Sequence, residues 1–303
     1  MKHYLTIDVG GTFIKYGIVK GKGELVYQDK LPTPQEKMDD FTATLLSIYQ
    51  EMAVKADLAG IALSCPGKVD SRAGYLYYGG ALLYLKDFPL AEFLSEATGL
   101  PVTVVNDGKA AALAENWLGN LADVENGLAL ILGTGLGGGI ILQNQVLLGS
   151  HFQAGEFSFL LPTREFSDVS HIAGLQGSAV EMVASIATVL GLPDKQDGRA
   201  VFSYIEQKNE QALTIFEDYC QKIAHTIYNV QAIVDVERVV IGGGISAQSI
   251  LVKEIQRQYK HILDTLPLIG PMITPVDIQL CHFRENANLV GAYYYHLTSR
   301  GEE

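Results

Sequence analysis

The stretch Leu132-Gly133-Thr134-Gly135-Leu136-Gly137-Gly138-Gly139 puts five glycines into seven residues between two apolar runs. Such a density brings positive φ angles and close backbone approach within reach, at an entropic cost that an ordinary turn does not need. The flanks decide what kind of loop this is. Residues 127–132 read as a buried strand, and residues 140–148 read as a strand, a polar turn and another strand. Gly133, Gly135 and Gly138 spell G-x-G-x-x-G, but that dinucleotide fingerprint needs a helix immediately after it and here a strand follows. A glycine-rich β-hairpin can instead aim several backbone N–H groups at one anion.

The arrangement has an echo at the start of the chain. Ile7-Asp8-Val9-Gly10-Gly11-Thr12 again lies between apolar runs, Tyr4 to Ile7 and Ile14 to Val19. A lone Gly-Gly pair is an ordinary hairpin turn with no ligand. Two such hairpins, with Asp8 and Thr12 beside one and Thr134 inside the other, point to two similar half-structures offering glycine turns to one ligand.

Bulk properties narrow the class. A chain of 303 residues is long enough for two domains with their own cores, and 48% hydrophobic with 18% charged residues describes a globular protein. A net charge of -12 argues against nucleic acid as the main partner, since phosphate backbones are bound by clustered Lys and Arg. An acidic protein that takes a phosphate ligand must do so locally, with backbone amides, a lysine or two and a metal ion, which fits a nucleotide–Mg²⁺ complex. Cys65, Cys220 and Cys281 are far apart and form no C-x-x-C, so reduced cytoplasmic thiols are expected. No secretory h-region can be drawn, and the uncharged run 127–142 holds six glycines and falls short of the ~20 residues of a membrane span. A soluble protein with no membrane partner is expected.

Along the chain, Gly21 to Gly23 turn into a third strand at residues 24–28, and a helix runs from Asp39 to about Val54. Residues 59–64 form a short strand broken by Cys65-Pro66-Gly67. Residues 71–90 read as irregular backbone, either lining a pocket or packed on the surface. A helix over 90–98 ends at Gly99, and a buried strand at 101–105 leads into Asn106-Asp107 and a helix to Leu118. Gly119 to Asn126 then links to a second domain. His151 to Glu156 is a loop, 161–168 is irregular, and 177–190 and 197–228 are mostly helical. Arg238 to Ser246 repeats the strand and glycines before a helix from Ala247 to Tyr259; residues 278–283 are a late strand, and Ala287 to Leu297 is a helix that packs back on the first domain. The expected division is 1–118 completed by 285–303, and 119–284.

Chemistry follows from these placements. The two glycine hairpins would grip phosphates, with Gly242, Gly243 and Gly244 at a helix start meeting the rest of a nucleotide. Asp8 is the candidate for Mg²⁺, through water. Lys15, on the return strand, either neutralises phosphate or is a solvated lysine. None of the three Gly-Lys pairs is followed by Ser or Thr, which excludes a P-loop. Asp107 lies at a strand's carboxyl end and a helix's amino end; it is the candidate general base, or a helix cap. Asn106 beside it offers an amide to neighbouring sugar hydroxyls, and Glu156 another acceptor. No histidine falls into a metal-binding spacing.

These motifs carry a resemblance. Asp8 to Thr12 with Lys15, Asn106-Asp107, Gly133 to Gly139, Ala154-Gly155-Glu156 and Ile241 to Gly244, in that order, resemble the ROK family of sugar kinases and sugar-responsive repressors. The resemblance implies an actin-like, ribonuclease H-like ATPase fold, in which two α/β domains close on ATP–Mg²⁺ and a hexose. By position, Asp107 would be the base, Asn106 and Glu156 would bind sugar hydroxyls, and Gly67 would lie near the sugar.

One departure is large. The family commonly continues G-E-x-G-H and then C-x-C-G-x-x-G-C-x-E, a structural zinc site whose histidine also touches sugar. Here Phe159 stands for that histidine, and Ala173 to Ser178 holds no cysteine, so no zinc is expected. Glu181 is one residue off the family's second glutamate, and no role is read for His151. Zinc-free members of this kind resemble β-glucoside kinases and N-acetylmannosamine kinase-like proteins. The expected activity is therefore ATP-dependent phosphorylation of a hexose or β-glucoside at its 6-hydroxyl, with β-glucoside favoured over glucose or N-acetylmannosamine. A sugar-sensing regulator would need a helix-turn-helix before the first strand. A nicotinamide oxidoreductase fails on the strand after the glycines. A homodimer is left open.

Overall fold

The computed structural model describes residues 2–163 and 167–301. β1 (His3–Val9), β2 (Phe13–Lys20) and β3 (Glu24–Pro32) form the expected antiparallel meander. α1 (Met38–Lys55) buries Phe41, Leu45, Ile48 and Met52 at helical spacing, and returns the chain to β4 (Leu58–Cys65), parallel to β1. Residues 71–90 are not irregular throughout: β5 (Lys68–Asp70), β6 (Tyr75–Tyr78) and β7 (Lys86–Phe88) make a small antiparallel sheet. Strands of three or four residues, one with a register shift, are too short to show a period of two in sequence. α2 (Leu90–Thr98), closed by Gly99 at φ 71°, leads to β8 (Val102–Asn106), parallel to β4, and α3 (Asp107–Leu118) follows without a break.

The second half repeats the plan. β9 (Gly127–Leu132), β10 (Leu136–Leu142) and the short β11 (Gln145–Val146) are its meander. α4 (Ala173–Gln176), α5 (Ala179–Val189), α6 (Gly198–Glu206) and α7 (Glu210–Val234) precede β12 (Arg238–Gly242), parallel to β9. A 3-10 turn at Gly244–Ala247 stands between β12 and α8 (Ser249–Asp264), so Gly242–Gly244 do not open the α-helix directly. β13 (Asp277–Leu280) and α9 (Ala287–Arg300) complete the chain. Sheet orders β3-β2-β1-β4-β8 and β11-β10-β9-β12-β13 are the same topology written twice. Of the segment 161–168, Arg164, Glu165 and Phe166 lie outside the described residues. No helix among the described residues is long and apolar enough to cross a membrane.

The glycine run behaves differently from expectation. None of Gly133, Gly135, Gly137, Gly138 or Gly139 has a positive φ, and the last three belong to β10. Gly138 and Gly139 serve close approach. A Cβ on Gly108 of α3 would stand 2.5 Å from the Gly138 carbonyl oxygen, and one on Gly139 2.7 Å from the Ala112 Cβ. α9 presses on α3 from another side: a Cβ on Gly291 would collide with the Ala110 carbonyl. Trp117 of α3 stacks on Tyr294 of α9, ring centroids 4.8 Å apart. α9 also packs on β1, β2, β4 and β8.

Gly291→Ala should therefore force α9 from α3 and cost about 1–3 kcal/mol, as overpacking does. Urea unfolding followed by the fluorescence of Trp117, the single tryptophan, checks this; an unchanged midpoint would show that the helices have room to separate.

Candidate active site

Parallel pairing sets β1, β4 and β8 level at their carboxyl ends. Asp8 pairs with Ser64, Ser64 with Val105, and Cys65 with Asn106. The acid of β1 and the Asn106-Asp107 pair leaving β8 thus emerge at one end of the sheet, where open α/β sheets bind ligands.

Asn106, not Asp107, caps α3: its Oδ1 accepts from the Lys109 N–H at 3.1 Å. Its Nδ2 donates to the Gly67 carbonyl at 3.0 Å and to Asp107 Oδ1 at 3.1 Å. Gly67 can turn its carbonyl there because its φ is 84°, and a Cβ would meet the Tyr78 carbonyl. Asp107 Oδ1 also accepts from the Gly108 N–H at 2.8 Å, while Oδ2 has no hydrogen bond among the described residues. One carboxylate oxygen is fixed and the other is left for a ligand. Burial pushes the Asp107 carboxyl up to about 7; the Gly108 N–H opposes this, Asp8 and Glu156 add to it, and Lys109 opposes it.

Glu156 comes from the loop after β11. Burial raises its pKa, and Lys109, whose Nζ stands 3.8 Å from Glu156 Oε1, pulls it back. Lys109 is itself only 1% exposed, and burial lowers its pKa against the attraction of Glu156 and Asp107. Asp8 is held at Oδ1 by Ser64 Oγ at 3.0 Å and by Asn288 Nδ2 at 2.9 Å. Burial raises its pKa, opposed by Asn288, Ser64 and Lys15.

Two cavities meet at Ile131 of β9. One, of about 670 Å³, is bordered by Gly67, Asn106, Asp107, Gly133, Thr134, Gly135 and Glu156, with Tyr78 and Phe159 on its wall. The other, of about 560 Å³, is bordered by Asp8, Lys15, Gly242, Gly243 and Gly244, with Asn288 and Arg284. Nothing lies within 4 Å of where a Cβ would stand on Gly133 or Gly244, so neither glycine is explained by packing. Gly10, Gly11 and Thr12 border neither cavity. That turn is exposed at Gly11 and Thr12, and tied back through Gly10 and Gly11 carbonyls that accept from Thr33 Oγ1 at 2.7 Å and Gln35 Nε2 at 2.8 Å. Lys15 Nζ donates to the Glu285 carbonyl at 3.3 Å, just before α9. Glu181 and His151 are exposed and border neither space. A further cavity of about 680 Å³ between α8 and β13 contains none of these residues.

Ser64, Asn288 and Lys109 were not singled out from sequence. Asn288 arrives 280 residues after Asp8, with no local sign of its partner. Lys109 had a sign: the unbroken run Ala110-Ala111-Ala112-Leu113-Ala114 puts apolar or small side chains on every face, which means a helix buried all round and a lysine buried with it.

A family model described as the ROK family matches residues 4–298. The β-glucoside kinase of Listeria monocytogenes is 29% identical over 293 residues, 96% of each chain. The N-acetylmannosamine kinase of Citrobacter koseri is 30% identical over 292 residues, 95% of this chain and 96% of that one. The crystal structure of a ROK family protein from Streptococcus pneumoniae in complex with sucrose superposes with a TM-score of 0.85, at 26% identity over 99% of this chain and 100% of that one. The duplicated sheets are those of an actin-like ATPase fold, the relatives are carbohydrate kinases, and the chain belongs to the ROK family.

Proposed function

We propose that this protein transfers the γ-phosphoryl group of ATP to the 6-hydroxyl of a β-glucoside, with Asp107 as general base. The observation that carries the reading is the Asp107 carboxylate: one oxygen held by Asn106 and Gly108, the other free, beside the Gly133–Gly135 turn. Asp107 Oδ2 takes the hydroxyl proton as the sugar oxygen bonds to phosphorus and the bond from phosphorus to the ADP oxygen breaks. Asn106 orients that base, and Gly67 and Glu156 border the sugar. Gly133, Thr134 and Gly135 face the phosphates, and Gly242–Gly244 the rest of the nucleotide, with Lys15 between. Gly10, Gly11 and Thr12 keep their place in this reading only through Asp8 at their foot.

Asp8 fits Mg²⁺, because its Oδ1 is engaged by two neutral donors and its other oxygen is not; when bound, the ion offsets phosphate charge. A β-glucoside is favoured over a single hexose by the β-glucoside kinase likeness. The exposed Tyr78 and Phe159 on the wall of the cavity that Asp107 borders are suited to a second ring.

An ADP-release assay should give higher kcat/KM for cellobiose or gentiobiose than for glucose; preference for N-acetylmannosamine would overturn the substrate assignment. Asp107→Asn should lower kcat by about 10²–10⁴-fold with sugar affinity retained, and equal turnover would remove Asp107 from the mechanism. Because the base works only when ionised, kcat/KM for sugar should fall as pH drops through about 7 rather than near the ordinary carboxylate value. A flat profile down to pH 5 would contradict it. Metal analysis should return no stoichiometric zinc, and a tightly held zinc ion would show that Phe159 has been misread.

A further inference from the structure

Lys109 is buried in the first turn of α3, in a helix whose neighbouring side chains are mostly alanine. An ammonium withdrawn from water needs compensating partners, and removing either member of such a pair leaves the other exposed to the full penalty. Both partners here come from one loop. Lys109 Nζ donates to the Phe152 carbonyl at 3.2 Å and stands 3.8 Å from Glu156 Oε1.

That loop is held in an unfavourable shape. Gly149, Phe152 and Gly155 have φ values of 78°, 63° and 79°. Glycine tolerates this region, but an aromatic residue enters it only where its surroundings dictate it. The Phe152 carbonyl so turned is the one that meets Lys109. Gly155 is also confined, since a Cβ there would stand 3.2 Å from the Gly139 Cα of β10. Glu156, next in the chain, reaches the cavity that Asp107 borders.

We infer that Lys109 is a positioning residue: its buried ammonium staples residues 149–156 to α3 and presents Glu156 to the sugar beside Asp107. This rests on reading the 670 Å³ cavity as the sugar site. A lysine in this position does two things at once. It fixes the distance between a helix carrying the base and a loop carrying a sugar acceptor, and it lets two carboxylates face one small neutral ligand without repelling each other out of register.

The test is a double-mutant cycle on sugar binding and turnover, using glucose and cellobiose as probes. Lys109→Met replaces a buried charge with an apolar chain of similar length, and Glu156→Gln removes the opposite charge. Each should raise the sugar Kd and KM by about tenfold or more and leave KM for ATP unchanged, and Glu156→Gln should also lower the melting temperature because it strands the buried Lys109 ammonium. The double variant should be no more than about twofold worse than either single one, because the second substitution removes an interaction already lost. Lys109→Arg should recover part of the affinity. Should Lys109→Met fold poorly, Lys109→Gln, which keeps a donor for Phe152 without the charge, takes its place in the cycle. Losses that multiply in the double variant, or unaltered sugar affinity in the Lys109 variants, overturn the proposal while wild-type turnover leaves the site reading intact. A wild-type protein that binds neither sugar overturns the site reading and this proposal together.

Discussion

The close packing of α3 against β10 and α9 is the constraint on which the site depends. Gly108 lies against Gly138, Gly139 against Ala112, and Gly291 against Ala110, so backbones meet where side chains would otherwise hold them apart. Packed interiors resist change of even a methylene's volume. The helix that begins with Asp107 therefore has a fixed position relative to the hairpin that ends in Gly133–Gly135. A carboxylate on a surface loop would have no such reference.

The far end of α3 is anchored by charge. Glu115 is fully buried, and its carboxylate accepts from the backbone N–H groups of Asn120, His282 and Phe283 at 2.9, 3.0 and 2.8 Å. Three donors satisfy an anion that burial would otherwise penalise, and they come from both the segment before β9 and the segment before α9. α3 is thus clamped at its carboxyl end by Glu115 and capped at its amino end by Asn106. The asymmetry has chemical meaning: the carboxylate at one end is saturated, and that at the other keeps one oxygen free.

Much of this was legible along the chain. Alternating apolar runs and turn residues gave both meanders, because a hairpin's partners are adjacent in sequence. The strand-then-polar pattern at Asn106-Asp107 marked the junction of β8 and α3, and the ordered set of glycine motifs indicated the family. The small sheet over residues 68–88 was missed because its strands are too short for a period to appear. Gly138 and Gly139, read as part of a ligand turn, serve close packing instead, Gly138 against Ala129 of β9 and the Phe157 ring and Gly139 against α3, since sequence shows that a Cβ is absent and not what occupies its place. The Gly10–Thr12 turn borders neither cavity, although Asp8 and Lys15, paired on the strands that flank it, both border one.

What the sequence determined by itself is therefore the local grammar of the two meanders and the longer helices, and that the plan occurs twice. Such features depend on residues a few positions apart, whose energetics composition records directly. Only the tertiary structure decided which carboxylate oxygen stays free, that Asn288 holds Asp8, and that Lys109 faces Glu156. Those pairings join residues from 47 to 280 positions apart or depend on the exclusion of water, and neither distance in space nor burial is written in any short stretch of chain.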